Sequence, residues 1–238
     1  MGSLLDHSFS SVLSATNLIT IATTATTLMV GALALMGTIH TIENQNNIYQ
    51  QNRLRDLAAA RATMPLALRE LSLAAKVGIR TASRPSDASR PPYEEIRSDL
   101  NVSEDTIETL QKCIRFADDL TSQWLAIIIS HYQIYLSRMD SFNPGPPMVD
   151  GNGLRNLTNG QIEAIVDWAT LHALVDHLFP FARGANSNAD RCLDVGRIRS
   201  TLFIEDYSLS IDPQINERLK AREATLQDGD IDKFRHYI

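Results

Sequence analysis

The chain is short of several things, and each shortage excludes a class of function. Only 2 of its 238 residues are cysteine, which rules out a disulfide-stapled scaffold and any four-cysteine zinc site. Basic charge is scarce: 22 Lys and Arg stand against 28 Asp and Glu, a formal charge of −6. A protein that holds nucleic acid through a bulk positive field is therefore excluded, and no nucleic-acid partner is expected. Lys and Arg are absent ahead of Arg53. Catalytic patterns are missing as well. There is no His-Glu-x-x-His and no Glu-x-x-His, which sets aside a zinc protease helix and a di-iron bundle. Gly151-Asn152-Gly153 has neither the third glycine nor the Lys-Ser/Thr of a phosphate loop. Asp228, Asp230 and Asp232 alternate as a calcium loop begins, but Lys233 stands where its glycine is needed. No motif asks for a cofactor.

What is present is one long uncharged run. Leu18 to Ile39 is 22 residues without a formal charge. As an α-helix it would reach about 33 Å, against a bilayer hydrocarbon core of about 30 Å. Leu18, Ile19, Ile21, Leu28, Val30, Leu33, Leu35 and Ile39 together favour insertion by about 2 to 5 kcal/mol, a gain that the threonines erode. A signal peptide needs a basic start and a shorter apolar stretch. Residues 1–17 offer only Asp6 and His7 as titratable groups. The run is read as a single transmembrane helix over 18–40, after a short N-terminal tail over 1–17.

Orientation follows the count of Lys and Arg on either side. Upstream there are none, and downstream come Arg53, Arg55, Arg61, Arg69, Lys76 and Arg80. The expectation is an N-terminus outside and a cytoplasmic C-terminal domain. Arg53 would lie about 21 Å beyond Ile39 on a continuous helix, well past a Debye length of about 8 Å, so this is no lipid-sensing polybasic patch. One stripe of the span, Thr20, Thr24, Thr27, Gly31, Ala34 and Thr38, recurs at four- and three-residue spacing and is small throughout. Such a seam lets two membrane helices approach closely. It points to a homo-oligomer or a partner transmembrane helix, with the lipid bilayer as the other expected partner.

Beyond the span, 41–56 is rich in Asn and Gln and reads as a polar neck, either helical stalk or flexible. Residues 57–227 read as an α-helical domain. Leu57 to Arg80 is helical, with Pro65 either kinking it or opening a new helix. Thr81 to Pro92 is a loop. Ser103 caps a long helix running to about Phe142, whose segment Trp124 to Leu136 is apolar nearly all round and reads as the central core helix. A third helix covers Asn159 to about Arg183, with Glu163, Thr170 and His177 facing away from its apolar arc and Gly184 at its stop. Val195 to Ser208 is a short helix, Asp212-Pro213 opens a charged helix to about Thr225, and 228–238 is a tail. The fold class is all-α: one N-terminal transmembrane helix followed by a bundle of four or five helices.

The phrase Ala59-Ala60-Arg61-Ala62-Thr63-Met64-Pro65-Leu66-Ala67-Leu68, standing after an apolar span, resembles uncharacterised bacterial single-span membrane proteins with a helical cytoplasmic domain. The resemblance implies that topology and carries no activity with it.

The best chemical constellation is His172 with Asp176, four apart and stacked by one helical turn. His131 could face them if the two helices pack. Three such ligands could hold a metal, and a His–Asp pair could act as a general base. The plainer reading is a buried histidine bonded to a carboxylate. Cys113 and Cys192 read as free thiols that pack. The expected function is that of a single-pass, non-catalytic interaction or scaffold protein. The alternatives are a ligand-sensing regulatory subunit, or a membrane-bound metal or acid–base enzyme using His172 and Asp176.

Overall fold

A computed structural model of the chain describes residues 3–84, 98–140, 148–149, 155–226 and 229–235. The expected prolines after Phe142, the Gly151-Asn152-Gly153 run, most of the Thr81–Pro92 loop and the last three residues lie outside these. The described residues are all-helical, apart from a two-residue antiparallel ladder in which Met148 pairs with Asn156 and Val149 with Arg155. The helices are α1 (Ser3–Ser83), α2 (Glu104–Phe116), α3 (Asp119–Asp140), α4 (Asn159–Ala182), α5 (Gly196–Glu205), α6 (Tyr207–Ile211), α7 (Pro213–Leu226) and α8 (Ile231–Arg235). That is more than the four or five helices expected after the span. One expected helix divides in two, and the C-terminal region is cut into four short pieces.

The chain separates into two compact units, Met1–Leu54 and Arg55–Ile238. The first is the N-terminal part of α1. Every residue from Thr26 to Asn52 is exposed, including Leu28 at 71% and Val30 at 63%. The amide-rich neck over 41–56 is helical throughout; it holds neither Gly nor Pro, the two residues that break a helix most strongly.

The second unit is built around α4, where every residue from Ile165 to Val175 is buried. Three consecutive turns without a solvent face make this the central helix, in place of the expected Trp124–Leu136. Thr170 and His177, read from the sequence as facing outward, are inside. α3 packs on one side of α4, with α5 and α7 on others. The C-terminal part of α1 supplies Met64, Leu68, Leu71, Ala75 and Ile79 to the same core. Pro65 sits inside α1 without ending it. Its missing N–H and ring clash disfavour a helix interior by about 3 kcal/mol, and the wholly buried Met64 and Leu68 beside it supply packing of comparable size.

Helix ends account for the order of the elements. Ser103 caps α2 by accepting from Thr106 N–H, as its sequence position predicts. Its own N–H donates to Glu70 Oε1 at 2.7 Å, and its hydroxyl to Glu70 Oε2 at 2.9 Å. Glu70 of α1 thus docks the start of α2. The expected single helix to Phe142 breaks at Ala117-Asp118. Asp118 Oδ1 accepts from Leu120 and Thr121 N–H, both at 3.1 Å, and caps a new helix. Thr158 and Gln161 form a reciprocal capping box at the head of α4, and Gln161 Nε2 also donates to the Ala82 and Arg84 carbonyls at 3.1 Å. At the other end, Gly184 takes φ +82 and donates to Phe181 O at 3.0 Å, a left-handed stop that suits glycine. Asp212 caps α7 through Gln214 and Ile215 N–H.

The expected tail is not one. Ile231 and Phe234 of α8 are buried, and Phe234 meets Trp124 edge to face at 5.4 Å. Two apolar residues three apart in a charged run were too weak a signal beside the acidic residues around them. Gly229 makes this return possible. Its φ is +68, and a Cβ there would run into the Leu193 backbone, whose N–H donates to Gly229 O at 2.8 Å.

Gly78 marks the closest approach of α1 to α4, because a Cβ there would overlap the Trp168 indole. Gly78→Ala is expected to lower stability by about 1 to 3 kcal/mol through overpacking, despite alanine's better helix propensity. A thermal melt of the full chain followed by circular dichroism checks it. An unchanged or higher midpoint would show that the two helices do not touch there.

Candidate functional site

α4 carries five buried polar side chains, Gln161, Asp167, Thr170, His172 and His177, and each must find partners. His172 finds three. Nε2 lies 3.1 Å from Ser72 Oγ of α1. Nδ1 lies 3.3 Å from Thr201 Oγ1 of α5 and 3.3 Å from Asp176 Oδ2, one turn on in α4. Thr201 has already given its proton to the Arg197 carbonyl at 3.0 Å, so towards His172 it can only accept. Asp176 as a carboxylate also only accepts. The hydrogen bond to Thr201 therefore requires the proton on Nδ1, which the nearby Asp176 charge favours, and this leaves Nε2 as a lone pair. Ser72 must then be the donor of its O–H to Nε2. The network fixes one tautomer of one ring.

Charges surround this junction. Glu205 of α5 pairs with Lys76 Nζ at 2.6 Å and with Arg80 Nη2 at 3.1 Å. Burial lowers the His172 pKa below its ordinary value. Asp176 and Glu205 act against that, and Lys76 acts with it. The ring is neutral near pH 7. Burial raises the Glu205 pKa, but hydrogen bonding and charge from Lys76, with Arg80 and His172, more than offset it.

His131 is elsewhere. It is buried on α3, with Nδ1 at 2.6 Å from Tyr135 Oη, and its charge environment is Asp167, Arg222 and Arg138. Among the described residues no group of three or more His, Cys, Asp or Glu side chains is placed to hold a metal ion. His177 donates from Nε2 to the Asp190 carbonyl at 2.9 Å, which also accepts from Trp124 Nε1 at 2.8 Å.

Asp167 joins three helices. Its carboxylate takes Arg222 of α7 at 2.8 Å and Arg138 of α3 at 2.6 Å. Arg222 is 3% exposed and also reaches Glu163, at 3.8 Å. Removing one member of such a network leaves a buried charge uncompensated, which costs about 3 to 5 kcal/mol. Asp167 and Arg222 hold the fold from inside it, while Arg138 and Glu163 reach solvent. A groove of about 500 Å³ lies between the start of α4 and α7. Glu163 and Arg218 on its walls are already paired with each other.

The seam residues Thr20, Thr24, Thr27, Gly31, Ala34 and Thr38 are all exposed. Thr24, Thr27 and Thr38 bond back to carbonyls four residues earlier, at 2.7 to 2.9 Å. Their hydroxyl protons are therefore used within the helix. Nothing lies within 4 Å of a Cβ built on Gly31 or Gly37. Cys113 is buried, with its thiol pKa pushed up to about 11 by desolvation, and Cys192 is exposed.

Sequence reasoning paired His172 with Asp176 from their spacing, and the structure brings them together. It missed Ser72, Lys76, Thr201 and Glu205, which reach His172 across 29 to 100 residues of chain and have no local signature. No protein-family model matches the chain, and no curated protein or solved structure is similar to it.

Three buried histidines give the domain a pH dependence of definite sign. Burial lowers the pKa of His131 to about 4 and lowers those of His172 and His177. The unfolded chain binds protons on these rings from about pH 6.5 downward while the folded chain does not, so stability falls as pH drops through that window. His131 alone contributes a loss of up to about 3 kcal/mol by pH 4. The lowered carboxylates Glu70 and Glu205 add their loss only below the ordinary glutamate value of 4.5. The thermal midpoint, read from Trp124 and Trp168 fluorescence, is expected to be flat from pH 8 to 7 and to fall between pH 6.5 and 5. A midpoint constant across that interval would contradict the buried neutral rings.

Proposed function

We propose that this chain is a single-pass membrane protein whose helical domain works by interaction, as a scaffold tethered to one leaflet. The observation that carries the reading is the N-terminal part of α1. Among the described residues one helix, near the N-terminus, is long and apolar enough to cross a membrane, and none of its apolar window is buried within the chain. A contiguous apolar surface of that length is not left in water by a stable monomer, whereas lipid covers it and leaves the helix's own backbone bonds intact. The second unit has a core of its own, so it needs no help from the span to stay folded.

The orientation we propose is N-terminus outside and domain cytoplasmic, from the absence of Lys and Arg ahead of Arg53 and their recurrence after it. The partners are the bilayer and a second transmembrane helix, either another copy or a different chain. Thr20, Thr24, Thr27, Gly31, Ala34 and Thr38 form the pairing face. With the threonine protons already spent, pairing there rests on the close approach that glycine and alanine permit.

The exposed Cys192 and the buried Cys113 make the topology readable with native thiols. In intact cells expressing the full chain, a membrane-impermeant maleimide should leave Cys192 unlabelled and should label it once the cells are permeabilised. A Ser8→Cys variant in a Cys192→Ser background should label without permeabilisation. Labelling of Cys192 in intact cells would reverse the orientation. Recovery of the full chain in the soluble fraction would remove the tether.

A further inference from the structure

The junction at His172 is more than a satisfied core histidine requires. A neutral imidazole needs one acceptor and one donor, and Thr201 alone fills the first role at 3.3 Å. Asp176 adds a carboxylate oxygen 3.3 Å from the same nitrogen, as a charge neighbour. The lone pair on Nε2 then holds the proton of Ser72 at 3.1 Å. Thr63, Thr170, Thr201 and Thr225 donate to a carbonyl three or four residues earlier in their own helix, whereas Thr106 and Ser122 donate across to Glu70 and to the Ile114 carbonyl. Ser72 belongs to the second group, donating across to α4. A hydroxyl, an imidazole with its lone pair towards that hydroxyl, and a carboxylate behind the other nitrogen form the arrangement that activates a serine for attack on an acyl group.

Access and charge fit the same role. Ser72 is half-buried. The Asp176 side chain is 41% exposed and the His172 side chain 10%, so the ring is shielded while the carboxylate beside it reaches solvent. Ser72 lies mid-helix, where the backbone amides are committed to the helix, so negative charge forming on a carbonyl oxygen must be met by a side chain. Lys76 stands one turn from Ser72 on α1, 31% exposed at its side chain and paired with Glu205 at 2.6 Å; its charge acts on His172, where Asp176 and Glu205 oppose it.

We infer that Ser72 is a nucleophile towards small carboxylic esters, with His172 as its general base, Asp176 and Thr201 as positioning residues and Lys76 as the cation facing the oxyanion. This goes beyond the tethered-scaffold reading and does not depend on it. The Ser72 Oγ–carbonyl bond forms as the Oγ proton passes to His172 Nε2 and the carbonyl π pair moves onto oxygen. That pair returns as the bond to the alkoxide breaks, and the alkoxide leaves with the proton from Nε2. Water, deprotonated by the same nitrogen, then attacks the acyl-serine. The carboxylic acid departs and the proton returns to Ser72.

The test is covalent labelling of the full chain in detergent by a fluorophosphonate, located by peptide mass. Ser72 is expected to carry the label, and S72A to lose it. H172A should slow labelling at least ten-fold while retaining the helical circular dichroism of the parent. In the parent the rate should rise with pH to a plateau, with a midpoint below 6.5. D176N should move that midpoint further down, because the carboxylate supports the protonated ring. K76M should move it up, because the ammonium opposes it, and should lower the plateau. A merely structural junction moves neither midpoint, and these two partly exposed positions keep the test decisive if H172A does not fold. An unlabelled Ser72, under conditions that fully label a control serine hydrolase, overturns the inference. So do labelling that H172A leaves unchanged and midpoints that D176N and K76M leave in place.

Discussion

An apolar surface must be covered, and this chain covers only part of its own. Along α1 the residues from Thr26 to Asn52 are all exposed, while Met64, Leu68, Leu71 and Ile79 are wholly buried. Full burial of one such side chain is worth about 1.5 to 3 kcal/mol. Leu28, Met29, Val30, Leu33, Leu35 and Met36, each more than 60% exposed, leave several times that amount unrealised within the chain. Exposed leucines scattered singly need no explanation, but a continuous sleeve of them does. Lipid is the covering that we propose, because it meets the whole circumference of a helix at once. A protein partner alone would cover one face.

Within the second unit the constraint is the opposite one. From Ile165 to Val175 α4 is buried all round and yet carries charge and hydrogen-bonding groups, so each of these must be matched within the protein. Asp167 draws in α3 and α7 through two arginines. His177 takes the Asp190 carbonyl after the helix. His172 takes α1 and α5 through Ser72 and Thr201. The polar groups of α4 thereby specify which helix lies where, which a purely apolar rod would leave open. At the His172 junction that matching produces an ordered donor–acceptor relay ending in a half-exposed hydroxyl, and so a site with possible chemistry arises from what the packing requires. A tether and a reactive serine are compatible in one molecule, since they occupy different parts of the chain.

Much of the architecture was legible in local signals. The cap at Ser103, the Asp212-Pro213 start and the Gly184 stop each rest on chemistry within four residues, and each appears where the residues point. The misreadings share a different origin. Asp118 is itself a capping residue, but the apolar periodicity ran through it and hid the break. Thr158 and Gln161 spell a capping box, a local signal that the start assigned at Asn159 did not use. Thr170 and His177 were placed outward because polarity was taken for exposure, which fails on a helix with no exposed face. α8 was missed because its two anchors, Ile231 and Phe234, are fixed by Trp124 more than a hundred residues away. For the site, the His172–Asp176 spacing was readable on one helix. Ser72 and Thr201 were not, because contacts across tertiary structure have no period.

The most direct measurement is alkaline carbonate extraction of membranes from cells producing the full chain, which strips peripheral proteins and leaves spanning helices in the pellet. A lipid-embedded α1 predicts that the protein stays in the pellet and is released only by detergent, and that replacing Leu33 with Arg, at a cost of about 2.5 to 3.5 kcal/mol near the bilayer centre, moves a substantial fraction to the supernatant. Complete release of the unaltered chain by carbonate alone would contradict it, and the exposed half of α1 would then need a protein partner to cover it.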